Sequence, residues 1–216
     1  MNRVFSLSAG IAIASMAMSS TVEAQGGFAE RPTLGVFGGF TLPKGDFKDE
    51  VGSGWHAGAL AKIRAYKALD IRLDGTYVKF GTKEFPGLNE TGAPIATLKT
   101  DGKITFGTLA AVINMGPDSA MYPGDNSVSP YLVGGLGAYN VDFAATCTPL
   151  SGFPTVCGGF SEPAKTNFGF NVGAGGSVPL AGIRAFVEAR YHRISRSVDI
   201  GGARSMFLFS AGLRFR

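Results

Sequence analysis

Beyond Pro32 the chain alternates apolar and polar positions with a period of two, the spacing of a strand whose two faces meet different surroundings. Eight segments carry the pattern: 33–42, 55–65, 69–77, 103–115, 131–143, 167–178, 183–191 and 206–215. Each is about 9 to 13 residues, longer than the usual strand of a soluble sheet and long enough to cross a hydrocarbon layer at a tilt. The connections alternate as well. Those at 43–54, 80–102, 144–166 and 192–205 are long and polar, whereas 66–68 and 179–182 are short. Only 116–130 breaks the rule, being long where a tight turn is expected. An even number of strands with long loops at one end and short turns at the other predicts an all-β, eight-stranded antiparallel up-and-down barrel.

The residues that share a face sharpen this. The second segment sets Trp55, Ala57, Ala59, Ala61, Ile63 and Ala65 against His56, Lys62 and Arg64. The third sets Leu69, Ile71, Leu73 and Tyr77 against Asp70, Arg72 and Asp74, and the seventh sets Ile183, Ala185, Val187, Ala189 and Tyr191 against Arg184, Glu188 and Arg190. In the fifth, Tyr131, Val133, Tyr139, Val141 and Phe143 oppose Asp142. In the sixth, Phe168, Phe170, Val172, Ala174 and Val178 oppose Asn167, Asn171 and Ser177, and in the eighth Phe207, Phe209, Ala211, Leu213 and Phe215 oppose Ser210, Gly212 and Arg214. Outside the fourth segment, every charged residue in these spans lies opposite the apolar face. The fourth resists, because Ile104, Phe106 and Leu109 cannot share a parity, and its register stays open.

Alternation alone fits two proteins. In a soluble barrel the apolar face is the core; in a membrane barrel it meets lipid and the polar face is enclosed. The aromatic positions favour the membrane. On the apolar face Trp55, Tyr77, Tyr139, Phe143, Phe168, Tyr191 and Phe207 gather toward the long loops, with Tyr131 and Phe215 toward the short turns, as interfacial girdles do. The other face mixes both signs of charge with Gly, Ser and Asn, which suits a narrow enclosed space. The 32 glycines argue against a helical bundle, since Gly costs about 1 kcal/mol per helical position. The net charge of +4 is spread along the chain without a basic block, so nucleic acid is not an expected partner.

The N-terminus places Arg3 before an apolar run from Val4 to Met18, then Ser19, Ser20 and Val22-Glu23-Ala24. A basic start, a short apolar stretch and small residues at −3 and −1 read as a signal peptide, 1–24, cut after Ala24 and leaving 25–216 as the barrel domain. Roughly fifteen apolar residues fall short of the ~20 a spanning helix needs.

With the export signal, the eight strands, the loop alternation and the ending Phe207-Leu208-Phe209-Ser210-Ala211-Gly212-Leu213-Arg214-Phe215-Arg216, the mature chain resembles small outer-membrane β-barrel proteins of the OmpA/OmpX type. Gly35-Val36-Phe37-Gly38-Gly39-Phe40, with Pro43-Lys44-Gly45-Asp46-Phe47 leading into a Gly-containing second strand, is also similar to that family. The resemblance implies a bacterial outer-membrane location after export to the periplasm. It also implies outer-membrane lipid and the barrel-assembly machinery as partners. In that family the last strand ends in an aromatic residue; here Arg216 follows Phe215. No peptidoglycan-binding domain is expected after the last strand.

Three constellations are candidates for chemistry. Lys62, Arg64, Asp70, Arg72, Asp74, Arg184, Glu188, Arg190 and Arg214 form an expected interior charge network, either a packed plug or the lining of a water-filled pore. Cys147 and Cys157, ten positions apart in one loop of an exported chain, are an expected disulfide; no His accompanies them as a metal ligand would. The run Arg190-Tyr191-His192-Arg193-Ile194-Ser195 places His192 and Ser195 on opposite strand faces, with Asp199 the nearest acid, which disfavours a lipid A deacylase triad. No cofactor is called for. The expectation is a non-enzymatic, monomeric barrel with a structural or surface-interaction role, an unidentified extracellular ligand meeting its long loops. The alternatives are a narrow solute or ion channel and a soluble periplasmic lipocalin-like barrel.

Overall fold

The computed structural model describes residues 32–88, 94–116, 128–150, 160–180, 182–195 and 203–215. The elements are β1 (Thr33–Lys44), α1 (Phe47–Glu50), β2 (Gly52–Tyr66), β3 (Leu69–Gly81), β4 (Lys83–Leu88), β5 (Pro94–Asn114), β6 (Ser129–Pro149), β7 (Phe160–Leu180), β8 (Ile183–Ile194) and β9 (Arg204–Phe215). All strand pairings are antiparallel. β1 pairs with both β2 and β9, and β3 pairs with β5, so eight strands close on themselves. Among the described residues β4 pairs only with the first part of β5.

Register fixes the barrel's shape. The circuit Pro43, Met206, His192, Asn171, Gly135, Ala110, Arg72, Lys62 returns to β1 at Thr33, ten residues from its start. That stagger tilts the strands by about 40° and leaves an interior just wide enough for side chains to fill. Two links use Gly where the backbone turns left-handed: Gly45 (φ +60°) after β1 and Gly182 (φ +85°) between β7 and β8.

Two expectations about extent change. Much of 80–102 and 144–166, read as loop, is strand: β4, the first part of β5, the end of β6 and the start of β7. The β5–β6 and β6–β7 ladders simply continue past the apolar belt. Above lipid no oily face is required, so the hydrophobic alternation that marks a strand disappears while its hydrogen bonds persist.

The two faces separate as a membrane barrel requires. Leu73, Phe168, Val172 and Val187 are exposed outward, whereas Arg72, Asp74 and Arg190 are buried within. The soluble lipocalin-like alternative needs the opposite arrangement and is set aside. The chain is an eight-stranded transmembrane β-barrel, with Leu34, Val36, Ile71, Leu109, Ile113 and Leu132 in the lipid-facing belt.

β6 corrects the sequence reading. Tyr131 and Tyr139, expected in the girdles, are buried at 2% and 0% exposure, and Phe143 packs against the inner apolar cluster. Asp142, expected inside, points outward and meets Lys103 at 2.9 Å. The reason lies on β7, whose inward positions include Gly169, Gly173 and Gly175. A Cβ at Gly175 would stand 2.5 Å from the Tyr131 ring, and one at Gly169 would stand 2.9 Å from that of Tyr139. The lumen therefore needs bulk from β6 to fill the space β7 leaves. β5 also lines the lumen with apolar residues, Ile104, Phe106, Ala110 and Val112, while Leu109 faces out.

Candidate functional site: a filled ionic lumen

Arg72 on β3 and Glu188 on β8 are separated by three intervening strands, yet their side chains meet across the barrel. Arg72 donates to both Glu188 oxygens, from Nη1 at 2.7 Å and Nη2 at 3.0 Å, and from Nε to Asp74 at 2.6 Å. Arg190 completes a ring, with Nη2 2.8 Å from Glu188 and Nη1 donating to Asp74 at 3.0 Å. Tyr131 donates its hydroxyl to Glu188 at 3.0 Å and Thr108 donates to Asp74 at 3.2 Å. A bidentate pair with its remaining lone pairs satisfied is the arrangement in which a buried charge is tolerated.

The other expected charges lie toward the short-turn end. Lys62 donates to Asp70 at 2.5 Å, Arg64 at 3.4 Å and Asn114 at 2.8 Å, so one carboxylate holds three donors. Arg184 donates to Ser129 at 3.1 Å. Arg214 lies over the rings of Tyr131 and Phe186, 5.7 and 5.4 Å from their centres. The structure thus brings Arg72, Asp74, Glu188 and Arg190 into one central cluster and sets Lys62, Arg64 and Asp70 in a second.

Toward the long loops the lumen changes character. His56 bridges Thr41 (3.1 Å) and Ser210 (2.8 Å), and Tyr139 meets His192 Nδ1 at 2.9 Å. His192 is thereby a lumen residue, 1% exposed, and does not stand with Ser195, which is exposed at the end of β8; Asp199 lies outside the described residues. Above them α1 folds inward. Phe47 packs edge-on to Phe80 and Phe143 within a buried cluster that includes Val51, Val78, Ile104 and Met206. Arg204 closes this mouth, 4.2 Å over the Phe143 ring and bonded to Glu50 at 3.0 Å.

Sequence reasoning missed this plug, α1 having been read as loop. The signal was present in Val78 and Phe80, and in Met206 and Leu208, apolar residues of the cluster that fall on the charged parity of their strands. At the centre of the lumen a cavity of about 10 Å³ lies between Arg72, Glu188, Arg190, His192 and Ser210, the size of a single water site. No group of His, Cys, Asp and Glu among the described residues has metal-site geometry.

The outer girdle at the long-loop end contains Trp55 against Tyr77 (5.7 Å) and Tyr191 against Phe207 (5.2 Å), with Phe168 75% exposed. Phe215 is exposed at the short-turn end. Cys147 sits on β6 opposite Leu98, above the belt; Cys157 lies outside the described residues, as does 1–24.

A closed sheet of eight tilted strands, ionic within and oily without, defines the class of outer-membrane-type barrels. Among solved structures the chain is similar to Neisserial surface protein A, with a TM-score of 0.55 and 17% identity over 85% of this chain and 96% of that one. That likeness shows a shared fold. Also similar are a major outer membrane protein from Thermus thermophilus (TM-score 0.49, 13% identity, 86% of this chain and 100% of that one) and OprG from Pseudomonas aeruginosa (TM-score 0.38, 13%, 85% and 96%). No protein-family model matches the sequence, and no curated protein matches it.

Proposed function

We propose that this protein is a non-enzymatic, monomeric integral barrel of the bacterial outer membrane, exported through the signal peptide 1–24 and inserted by the barrel-assembly machinery. It serves envelope integrity or surface interaction through what projects beyond the lipid. The observation that carries this reading is the contrast between a filled lumen and the long ladder above it. β5, β6 and β7 each run 21 residues, about twice what a tilted strand needs to cross the hydrocarbon. A lumen closed by ionic and apolar layers favours this over the narrow channel. Matter outside the membrane is then where a partner can be met.

In this reading Cys147 and Cys157 are joined, tying the end of β6 to the loop that follows and stabilising it by about 2–3 kcal/mol. Thiol labelling of unfolded, unreduced protein checks this: no label is expected until a reductant is added.

Complementation of a deletion strain tests the function. One arm carries the whole chain and the other a chain in which 83–101 and 144–165 are replaced by tight turns, with heat-modifiable gel migration confirming that both barrels fold. Restored resistance to detergent by the whole chain alone places the role in the projecting sheet. Restoration by both places it in the barrel, and failure of both overturns the reading.

A further inference from the structure

The outward surface of β1, β9 and β8 differs from the rest of the belt. Register aligns Lys44, Ser205 and Arg193 in one row at the long-loop end. The next row toward the membrane centre holds Phe207 and Tyr191, and the one beyond it Phe40, Phe209 and Ala189. There a groove of about 660 Å³ opens, in the size range of small-molecule pockets. Its floor is Gly38, Ala174, Ala189 and Ala211, and the stacked rings of Phe40 and Phe209, 4.8 Å apart, form a wall.

Above this groove the chemistry turns cationic. Lys44 and Arg193 are both exposed, and Lys44 Nζ stands 5.6 Å from the centre of the Phe207 ring. Two strand spacings, about 10 Å, separate their backbones, so two long side chains can converge on one anion. Between them Tyr191 donates to Ser205 Oγ at 2.8 Å, which leaves the Ser205 hydroxyl hydrogen to donate onward. Lys103, elsewhere on the same collar, is instead taken by Asp142.

We propose that this face holds one anionic lipid whose headgroup is a terminal phosphate. Lys44, Arg193 and the Ser205 hydroxyl bind its phosphate, the rings of Phe207 and Tyr191 flank the region below the headgroup, and an acyl chain lies in the groove. A second copy of the chain fits less well: a two-fold pair along the membrane normal sets this basic row against itself. Lipid supplies both the anion and the chain at the depths where the cations and the groove lie.

The test is native mass spectrometry of the full chain in detergent with equimolar phosphatidic acid and phosphatidylcholine. One phosphatidic acid per barrel is expected to be retained in preference to phosphatidylcholine. Lys44→Ser with Arg193→Ser lowers that retention about 30-fold. Ala189→Trp keeps both cations but fills the groove, and it too loses the lipid; if it fails to fold by heat-modifiable migration, Ala211→Leu replaces it. Inorganic phosphate does not displace the lipid. Equal retention of phosphatidylcholine, retention unchanged in the variants, displacement by free phosphate, or a lipid-free dimer overturns the proposal.

Discussion

Glu188 shows what a single residue carries in this barrel. Its carboxylate receives Arg72, Arg190 and Tyr131, and it is 6% exposed. Removing it alone leaves two buried guanidinium groups to share Asp74 as their remaining carboxylate, at a cost of about 3–5 kcal/mol. Glu188→Met is therefore expected to lower the temperature at which the folded, fast-migrating gel band converts. Adding Arg72→Met to it should recover part of the loss, because the double variant buries no unmatched charge at that pair. A double variant no better than the sum of the singles would show that the pair is not coupled. On the outer face the sign of the requirement reverses. Leu73, 58% exposed to lipid, tolerates apolar exchange, but Leu73→Arg should destabilise the inserted barrel by about 2–4 kcal/mol in urea-driven unfolding from vesicles.

Strands show where periodicity was sufficient and where it was not. β2, β3 and β8 alternate oily and charged residues, so Lys62, Asp70, Arg72, Glu188 and Arg190 could be assigned inward from the sequence alone. β6 misled because its largest side chains are aromatic and its sole acid, Asp142, lies above the belt, where an outward charge meets water. Hydrophobicity names the lipid face only when the lumen face is polar, and β6 lines a stretch of lumen that wants volume. The information sat on the neighbouring strand, in the inward glycines of β7, and a single-strand reading does not combine the two. Gly175→Val tests that pairing. Its new side chain collides with the Tyr131 ring that reaches Glu188, and overpacking of this kind costs about 1–3 kcal/mol. The Val187 carbonyl, 2.6 Å from that Cβ, is a second obstacle, so Tyr131→Ala should relieve part of the collision and the double variant unfolds from vesicles at a urea concentration no lower than Gly175→Val does. If Gly175→Val folds as well as the parent, β6 does not fill the space that β7 leaves.

For the molecule as a whole, the two closures of the lumen are independent and make a graded prediction. The upper one is apolar, Phe47 among Phe80 and Phe143 under Arg204; the lower one is ionic, Arg72 locked to Glu188 across the barrel's width. Neither shares a side chain with the other. In planar bilayers the whole chain is expected to show no steady single-channel current. Phe47→Ala with Arg204→Ala removes the upper closure yet leaves the ionic ring spanning the lumen, and it too should stay silent. Adding Arg72→Ala and Glu188→Ala to that pair empties both levels, and ohmic current should appear in whichever fraction still migrates as folded. Steady conductance in the unaltered chain would refute the filled-lumen description at once. Current from the upper pair alone would show that the ionic layer leaks, and would return the narrow channel to first place among the functions this fold can serve.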